Sequence, residues 1–361
     1  MDSALRTQLD LKSRIQLRLD EFLGERLRQL GDISEDLIPF GEALQSLLRG
    51  GKRLRPAFAY WAWRGAGGED DSRLIDAVTG LEMLQACALI HDDVMDCSDT
   101  RRGLPSAHRR FATMHTSEGW NGPPEGFGVS AAILLGDLCL SWADELLFTS
   151  GLPSADLMRA KPIYDVMRTE LMAGQYLDLL EQSKGGGSVS RGMTVVRYKA
   201  AKYTVERPLH LGAALAGAGD QLMASYSAYG LPLGEAFQLR DDVLGVFGDP
   251  AQTGKPAGDD LREGKRTVLV ALTNERVTPA TSAVLEQYLG DPALDASGVD
   301  LLRTIISESG ALAEVEKMIQ TLRSHALEAL DHAAVETLAH AALTDLAHAA
   351  TSRSPVSFQI P

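Results

Sequence analysis

Apolar residues recur three or four positions apart along most of the chain, which is the spacing of one face of an α-helix. In the segment 74–96 this stripe consists of Leu74, Val78, Leu81, Leu84 and Ala88. The segment 223–249 repeats the spacing despite Pro232. No series of short alternating strands bounded by Asn-Gly or Asp-Gly turns is present, which disfavours a sandwich, a barrel or a βαβ array. The pattern predicts an all-α protein of many helices.

Clusters of Gly, Pro and Asp mark the predicted loops, which are 64–72, 118–128, 183–188 and 248–260. None of these loops resembles a long linker between domains. We therefore expect a single domain over residues 1–361, with a loosely ordered tail at 351–361. The C-terminal third is rich in Ala, Leu and His, and we interpret it as packing and oligomer surface.

The net charge of −14 disfavours a nucleic-acid partner or an anionic membrane surface, because both attract basic proteins. The cysteines number 3 and form no C-x-x-C pair, so neither a disulfide framework nor a thiolate zinc site is indicated. The first residues are charged throughout and lack the apolar core of a secretory signal. These features favour a cytoplasmic protein.

The most membrane-like run is 129–148, which contains Asp137, Asp144 and Glu145. Each of these carboxylates is costly in hydrocarbon. We therefore interpret the run as a buried core helix and expect no stable membrane insertion.

Both apolar stripes lead into acidic pairs, Asp92–Asp93 and Asp241–Asp242. Residues four apart on a helix differ by roughly 40° in direction, so Asp92 and Asp96 can reach one hard cation, with Asp93 about 100° further round in a supporting role. Carboxylate ligands without His or Cys suit Mg²⁺ that also binds substrate phosphates. A solvated helix end would also explain one such cluster. Its recurrence at the edge of a second apolar stripe favours a cation site.

Arg101 and Arg102 directly follow the first acidic cluster, and a guanidinium matches phosphate geometry with two donors. Further basic residues lie in Gly-rich or loop contexts, at 50–56, 197–203, 253–256 and 263–266. A single one would be an ordinary surface charge. As a set in an acidic protein, these residues indicate anion binding, although the P-loop string is absent from the sequence.

Five motifs occur in the order found in one family: "GGKRLRP", "HDDVMDCSDTRRG", "GQYLD", "FQLRDDVLGVFGDP" and "GKPAGDDLREGKRT". Between Gly50 and Thr267 the chain therefore resembles the trans-isoprenyl diphosphate synthases, or polyprenyl synthetases, and is most similar to bacterial geranylgeranyl diphosphate synthases. The resemblance implies an all-α isoprenoid synthase fold, a homodimer, and two acidic motifs that face each other across a central cavity. It also implies three Mg²⁺ ions around an allylic diphosphate.

The resemblance also implies roles for individual residues. Asp92 and Asp96 would be metal ligands supported by Asp93, and Asp241 would be a metal ligand beside Asp242. The expected contacts of the allylic diphosphate are Arg101, Lys199, Gln238, Lys255 and Lys265. The expected contacts of isopentenyl diphosphate are Lys52, Arg55, Gln85 and Arg102.

Three positions depart from the common family pattern. Gly245 stands where many members have a third Asp in the second motif, which leaves fewer direct carboxylates for a metal. Gln85 replaces a common His, and Ala200 follows Lys199 where a hydroxyl residue is frequent. Gly and Gln occur at the first two positions in similar members.

The implied reaction is the ionisation of an allylic diphosphate, attack by the double bond of isopentenyl diphosphate, and loss of a proton. Cys87 and Ala88, one turn before Asp92, are not bulky, so we expect a tunnel open past fifteen carbons and geranylgeranyl diphosphate as the product. Leu84 or Leu81 could end the tunnel, as could side chains of other helices. Ordinary helix packing would also explain the small residues.

Other functions remain open from the sequence alone. A farnesyl or longer polyprenyl synthase differs only in tunnel length. A class I terpene cyclase would carry an N-D-x-x-S-x-x-x-E motif, which the sequence lacks, and would not need the "GGKRLRP" segment. A regulatory subunit without catalysis would not be expected to retain charge clusters that repel each other without a ligand.

Overall fold

The computed structural model describes residues 3–249 and 258–352, and this part of the chain is helical over most of its length. The predicted tail beyond Ser352, and Lys255 with its loop, lie outside the described residues. The helices before residue 185 are α1 (Ser3–Ile33), α2 (Ile38–Leu48), α3 (Leu54–Gly65), α4 (Ser72–Met95), α5 (Ala107–Ser117), α6 (Pro124–Phe148) and α7 (Ser154–Lys184).

The later helices are α8 (Val189–Val195), α9 (Arg207–Leu215), α10 (Asp220–Phe247), α11 (Asp259–Arg262), α12 (Val268–Arg276), α13 (Pro279–Tyr288), α14 (Ala296–Glu308), α15 (Ala311–Asp331) and α16 (Thr337–Thr351). A 3₁₀ turn, Glu35–Leu37, precedes α2, and a π-helix, Val196–Glu206, joins α8 to α9. The all-α prediction is confirmed. One short antiparallel hairpin follows α4, formed by β1 (Thr100–Arg101) and β2 (Leu104–Pro105).

The described residues form two compact units. The first contains the residues up to Tyr60 together with Gly68–Met158, and the second contains Trp61–Gly67 and the residues from Arg159 onward. That residues 1–361 make up a single domain stays a prediction.

Helix α4 lies in the core of the first unit and packs along α6. Asp71 caps its first turn by accepting a hydrogen bond from the Arg73 backbone N–H at 2.8 Å. Glycines bring the two helices close together, since a β-carbon on Gly80 would lie 2.8 Å from the Ala143 carbonyl oxygen. A β-carbon on Gly136 would lie 2.1 Å from the His91 ring, so a larger residue at either position would separate the helices.

Helix α6 has one buried face and one exposed face, so the buried core helix predicted over 129–148 is buried on one side only. Leu135, Cys139 and Leu146 are buried, whereas Ile133 and Leu134 are 44% and 62% exposed. By length and composition, α4 and α6 are the described helices apolar enough to cross a membrane, with 72% and 39% of their apolar stretches buried in this chain. The burial of α4 is that of a core helix.

The core of the second unit forms around α10, against which the π-helix and α15 pack. Its apolar residues come from α10, α12, α14 and α15 and include Leu239, Val243, Leu269, Leu302, Val315 and Ile319. Gly234 allows the π-helix to approach α10, because a β-carbon there would lie 2.5 Å from the Ala201 carbonyl oxygen. A π-helix is rare and is frequently found at functional sites, and the sequence pattern did not predict it.

Candidate active site

The first acidic motif lies on a half-buried stripe of α4. Most of this helix is buried, but Gln85, Ala88, Asp92 and Asp96 are only half-buried and recur three or four residues apart. They therefore share one face of the helix. The structure thus places Asp92 and Asp96 on the same face, as their spacing predicted, together with Ala88 and Gln85.

Asp93 points in another direction and is held by Arg101. The Asp93 side chain is 3% exposed, and its carboxylate accepts a hydrogen bond from Arg101 Nε at 2.8 Å. Arg101 also donates from Nη2 to Asp92 at 3.3 Å. A buried carboxylate needs a partner to remain charged, so Asp93 and Arg101 fix each other at the edge of the motif. The supporting role of Asp93 toward a metal stays a prediction.

Arg102 holds the turn between α2 and α3. Its Nη1 donates to the carbonyl oxygens of Leu47 and Gly50, each at 2.6 Å. Its φ of 55° lies in the left-handed region, which is uncommon for a residue with a β-carbon. The Arg102 guanidinium therefore touches the "GGKRLRP" segment directly.

Four arginines lie close together in the first unit: Arg53, Arg55, Arg101 and Arg102, here called the arginine cluster. Burial lowers the pKa of Arg102, Glu82 opposes that shift, and the charges of the other three arginines lower the pKa further. Like charges gathered at one point attract an anion. The cluster therefore has the electrostatics of a diphosphate-binding site.

Lys52, Arg55 and Gln85 complete the residues predicted to contact isopentenyl diphosphate. Lys52 is exposed, and Arg55 and Gln85 are half-buried. Among the described residues, the Gln85 side-chain oxygen is buried without a hydrogen-bond partner. A buried polar atom without a partner gains a hydrogen bond when a ligand or water reaches it.

The second unit contains a matching group of acidic side chains: Asp178, Asp241, Asp242 and Asp260, here called the carboxylate cluster. Burial raises the pKa of Asp242 to about 7, the hydrogen bond from Gln238 opposes the rise, and repulsion from the other three carboxylates adds to it. Gln238 Nε2 donates to Asp242 at 2.7 Å. A cation placed among these groups would relieve the repulsion.

Two predicted lysines border the carboxylate cluster. Lys199, on the π-helix, donates from Nζ to Asp178 at 2.6 Å. Lys265 lies 2.6 Å from Glu263 and 3.4 Å from Asp260. Both are partly buried, so each can present one positive charge to an anion bound beside the carboxylates.

Asp260 occupies the space that a side chain at Gly245 would fill. A β-carbon built on Gly245 would lie 1.8 Å from one Asp260 carboxylate oxygen. Asp260 is 9% exposed, and its charge acts on Asp242. Sequence reasoning noted the missing carboxylate at position 245 but did not find Asp260 or Asp178. The available signal was that Asp178 lies in the motif "GQYLD" and Asp260 in the motif "GKPAGDDLREGKRT".

The donors available for a metal are carboxylate oxygens, which Mg²⁺ prefers. Among residues 3–249 and 258–352, no three Asp, Glu, His or Cys side chains converge as a ready metal site. Mg²⁺ commonly binds through one or two carboxylates plus phosphate oxygens and waters. The residues therefore fit an ion that binds together with a diphosphate.

The residues of α4 predicted to set chain length differ in how deeply they are buried. Ala88 is half-buried on the stripe with Asp92, whereas Leu84 is 1% exposed. Cys87 is 5% exposed with its sulfur 3.8 Å from His91 Nδ1, and burial raises the pKa of its thiol to about 12. Cys87 therefore packs beside His91, away from the stripe.

A family model described as polyprenyl synthetase matches residues 39–306. The chain belongs to the polyprenyl synthetase family. A geranylfarnesyl diphosphate synthase of Aeropyrum pernix is 34% identical over 76% of this chain and 81% of its own length. A geranylgeranyl diphosphate synthase of Sulfolobus acidocaldarius is 31% identical over 75% of this chain and 79% of its own length.

Among solved structures, a geranylgeranyl pyrophosphate synthase of Corynebacterium glutamicum, complexed with isoprenyl diphosphate and magnesium, superposes with a TM-score of 0.92. It is 42% identical and covers 95% of this chain and 98% of that chain. The chain is therefore an isoprenyl diphosphate synthase, a trans-prenyltransferase that joins isopentenyl diphosphate to an allylic diphosphate.

Proposed function

We propose that this isoprenyl diphosphate synthase makes geranylgeranyl diphosphate. The observation that carries the product assignment is the half-buried stripe on α4, where the small residue Ala88 lies one turn before Asp92. The similar C. glutamicum enzyme, named for the same product, supports it. A geranylfarnesyl product is the second candidate, because a relative carries that name and Ala88 does not limit length by itself.

Asp92 and Asp96 of the first motif, and Asp241 of the second, would hold Mg²⁺ that binds together with the allylic diphosphate, with three ions expected. When bound, Mg²⁺ neutralises charge that develops on the departing diphosphate. Asp93 and Asp242 support these ligands from buried positions. The diphosphate oxygens are bound by the basic and amide groups Arg101, Lys199, Gln238, Lys255 and Lys265.

Asp260 supplies the carboxylate that the second motif lacks at Gly245. Its oxygen already occupies the side-chain position of residue 245, and it acts electrostatically on Asp242. Glycine at 245 is then required, because any β-carbon would displace Asp260. This explains how a motif ending in Gly retains enough negative charge for a divalent ion.

Isopentenyl diphosphate binds through Lys52, Gln85 and two members of the arginine cluster, Arg55 and Arg102. The allylic C–O bond breaks and diphosphate leaves with the electron pair. The double bond of isopentenyl diphosphate then forms the new C–C bond to the allylic cation. The proton lost from the adjacent carbon passes to the released diphosphate. Apolar walls exclude water that would quench the cation.

Leu84, Cys87 and Ala88 are the residues of α4 proposed to set product length. Replacing Ala88 by Phe places a bulky side chain on the half-buried stripe one turn before Asp92. We therefore expect the main product to shorten by one or more five-carbon units. Cys87→Ser is the matched control, because it changes the neighbouring residue without adding bulk. Unchanged product lengths in Ala88→Phe would contradict this role.

A homodimer is supported by the exposed face of α6. Phe127, Ile133 and Leu134 are 37%, 44% and 62% exposed on one side of the helix. Apolar patches of this kind mark interfaces, and a twofold interface pairs such a face with its own copy. Light scattering should give the mass of a dimer for the wild type and of a monomer for Leu134→Glu. A dimer of Leu134→Glu would contradict this interface.

The cysteines support the predicted cytoplasmic location. All three, Cys87, Cys97 and Cys139, are free thiols. Free thiols persist where the compartment is reducing.

The experiment that tests the proposed function supplies purified protein with Mg²⁺, isopentenyl diphosphate and dimethylallyl, geranyl or farnesyl diphosphate in turn. Products are dephosphorylated and identified by mass. A linear C20 alcohol is the expected result. A C25 alcohol would favour the geranylfarnesyl assignment, and no consumption of isopentenyl diphosphate would refute catalysis by the chain alone.

A further inference from the structure

Arg53, in the middle of "GGKRLRP", is the buried member of the arginine cluster. It is 3% exposed, whereas its neighbour Lys52 is exposed and Arg55 is half-buried. Its backbone φ is 52°, in the left-handed region that a residue with a β-carbon seldom occupies. A charged side chain and an unfavourable backbone conformation are thus both retained at one buried position.

The Arg53 guanidinium connects three helices. It donates to the Glu82 carboxylate on α4, to the Leu48 carbonyl oxygen at the end of α2, and to Gln16 Oε1 on α1 at 2.6 Å. The Arg53 and Glu82 side chains are 2% and 4% exposed. Breaking one partner of such a pair leaves an uncompensated buried charge, so the contact fixes the position of the turn.

A second guanidinium holds the same turn from the other side. Arg102 donates to the Leu47 and Gly50 carbonyl oxygens, and a β-carbon on Gly51 would lie 3.0 Å from Arg102 Nη2. Gly51 has a φ of 124°, which only glycine adopts readily. The backbone from Leu47 to Arg53 is therefore tightly determined by two arginines and one glycine.

Glu82 connects the turn to α4 close to the predicted isopentenyl site. Gln85 follows Glu82 by three residues, so the two lie on neighbouring positions of one helix face. The ion pair thus sets the distance between Gln85 on α4 and two basic residues, Lys52 on the turn and Arg55 at the start of α3. Strained backbone retained beside a binding site is typical of preorganisation for a ligand.

We propose that Arg53, paired with Glu82, is a positioning residue that preorganises the turn and α4 for isopentenyl diphosphate. This inference rests on the proposed role of Lys52, Arg55 and Gln85. Arg53 acts through these residues and does not itself contact the substrate. Its loss should therefore weaken binding of isopentenyl diphosphate and leave the allylic diphosphate largely unaffected.

The test measures KM for each substrate and kcat in Arg53→Met and Glu82→Gln, together with thermal unfolding. We expect KM for isopentenyl diphosphate to rise about tenfold or more in both variants, because small misplacements of binding groups are costly. KM for the allylic diphosphate should stay within about twofold. Arg53→Lys should give an intermediate KM, since an ammonium keeps the charge but not the fixed fork of donors.

Arg18→Met is the matched control. Arg18 Nε pairs with Asp76 at 2.8 Å and also joins α1 to α4, but it does not touch the turn. We expect it to lower the melting temperature with both KM values unchanged. Glu82→Gln preserves the shape of the side chain, so it provides the test if Arg53→Met fails to fold.

Two results would overturn the inference. One is a lower melting temperature in Arg53→Met and Glu82→Gln with both KM values at the wild-type level, and the other is an equal rise in both KM values. Either result would leave the proposed function intact, because the variants would still turn over. Failure of the wild-type protein to consume isopentenyl diphosphate would refute the proposed function itself.

Discussion

The arginine cluster of the first unit and the carboxylate cluster of the second carry opposite charge and are held in different ways. In the arginine cluster the protein itself supplies the acceptors: Glu82 for Arg53, Asp93 for Arg101, and two backbone carbonyls for Arg102. In the carboxylate cluster the acidic groups repel one another, and the pKa of buried Asp242 rises to about 7. The arginine cluster is preorganised for an anion, whereas the carboxylate cluster needs a cation.

This difference explains how one protein can bind two diphosphates in different ways. A preformed set of guanidiniums binds phosphate oxygens without further help. A group of repelling carboxylates would bind a diphosphate only together with a cation such as Mg²⁺. We therefore expect isopentenyl diphosphate to depend on the arginines and the allylic diphosphate to depend on the metal.

The largest effect is expected from Asp241→Asn. The change keeps the size of the side chain but removes one charge from the proposed metal site, so kcat should fall by about 10³-fold. Steady-state kinetics at saturating Mg²⁺ check this. Asp300→Asn is the control, because the Asp300 side chain is 76% exposed on α14. Activity of Asp241→Asn close to that of the wild type would remove Asp241 from the site.

The Gly245 and Asp260 pair gives the next largest effect. Gly245→Asp places a second carboxylate in the space of Asp260, so we expect activity to fall by about 10²-fold. Adding Asp260→Ala to Gly245→Asp should recover at least about tenfold of that loss, since one carboxylate again occupies the space. Asp259→Ala is the neighbouring control. A double variant worse than Gly245→Asp alone would show that the two positions are not interchangeable.

Lys199→Met tests whether the carboxylate cluster of the second unit binds the allylic diphosphate. It removes the ammonium beside Asp178, so KM for the allylic diphosphate should rise about tenfold with KM for isopentenyl diphosphate unchanged. Lys202→Met, on the same π-helix, breaks a 2.7 Å contact with Glu170 and serves as the control. A rise in KM for isopentenyl diphosphate instead would reverse the assignment of the two regions.

The smallest effect is expected on the pH dependence of stability in the metal-free protein. The pKa of Asp242 in the folded protein is about 7, above its ordinary value of 3.8. The folded state therefore binds more protons than the unfolded state, and this group's contribution to stability is lost as pH rises from about 4 through 7. Urea unfolding of metal-free protein should show that loss, and Asp242→Asn should reduce it. A wild-type curve with the same pH dependence as Asp242→Asn would contradict the raised pKa of Asp242.

The helical fold and much of the site could be predicted from local spacing. Helical periodicity determines which residues share a face, and it placed Asp92 and Asp96 together correctly. The Arg53–Glu82 pair joins residues 29 positions apart, and Asp260 reaches Gly245 from a different helix. Such contacts depend on how helices pack, which spacing along one helix does not reveal. The π-helix was missed for the same reason, because it forms where the chain packs against α10.

The most direct measurement is calorimetric titration of each substrate with and without Mg²⁺, using an unreactive allylic diphosphate analogue. We expect isopentenyl diphosphate to bind in EDTA with a Kd within about threefold of its value in Mg²⁺. The allylic analogue should bind measurably only when Mg²⁺ is present. Loss of isopentenyl diphosphate binding in EDTA, or equal binding of the analogue in both conditions, would contradict the division between the two regions.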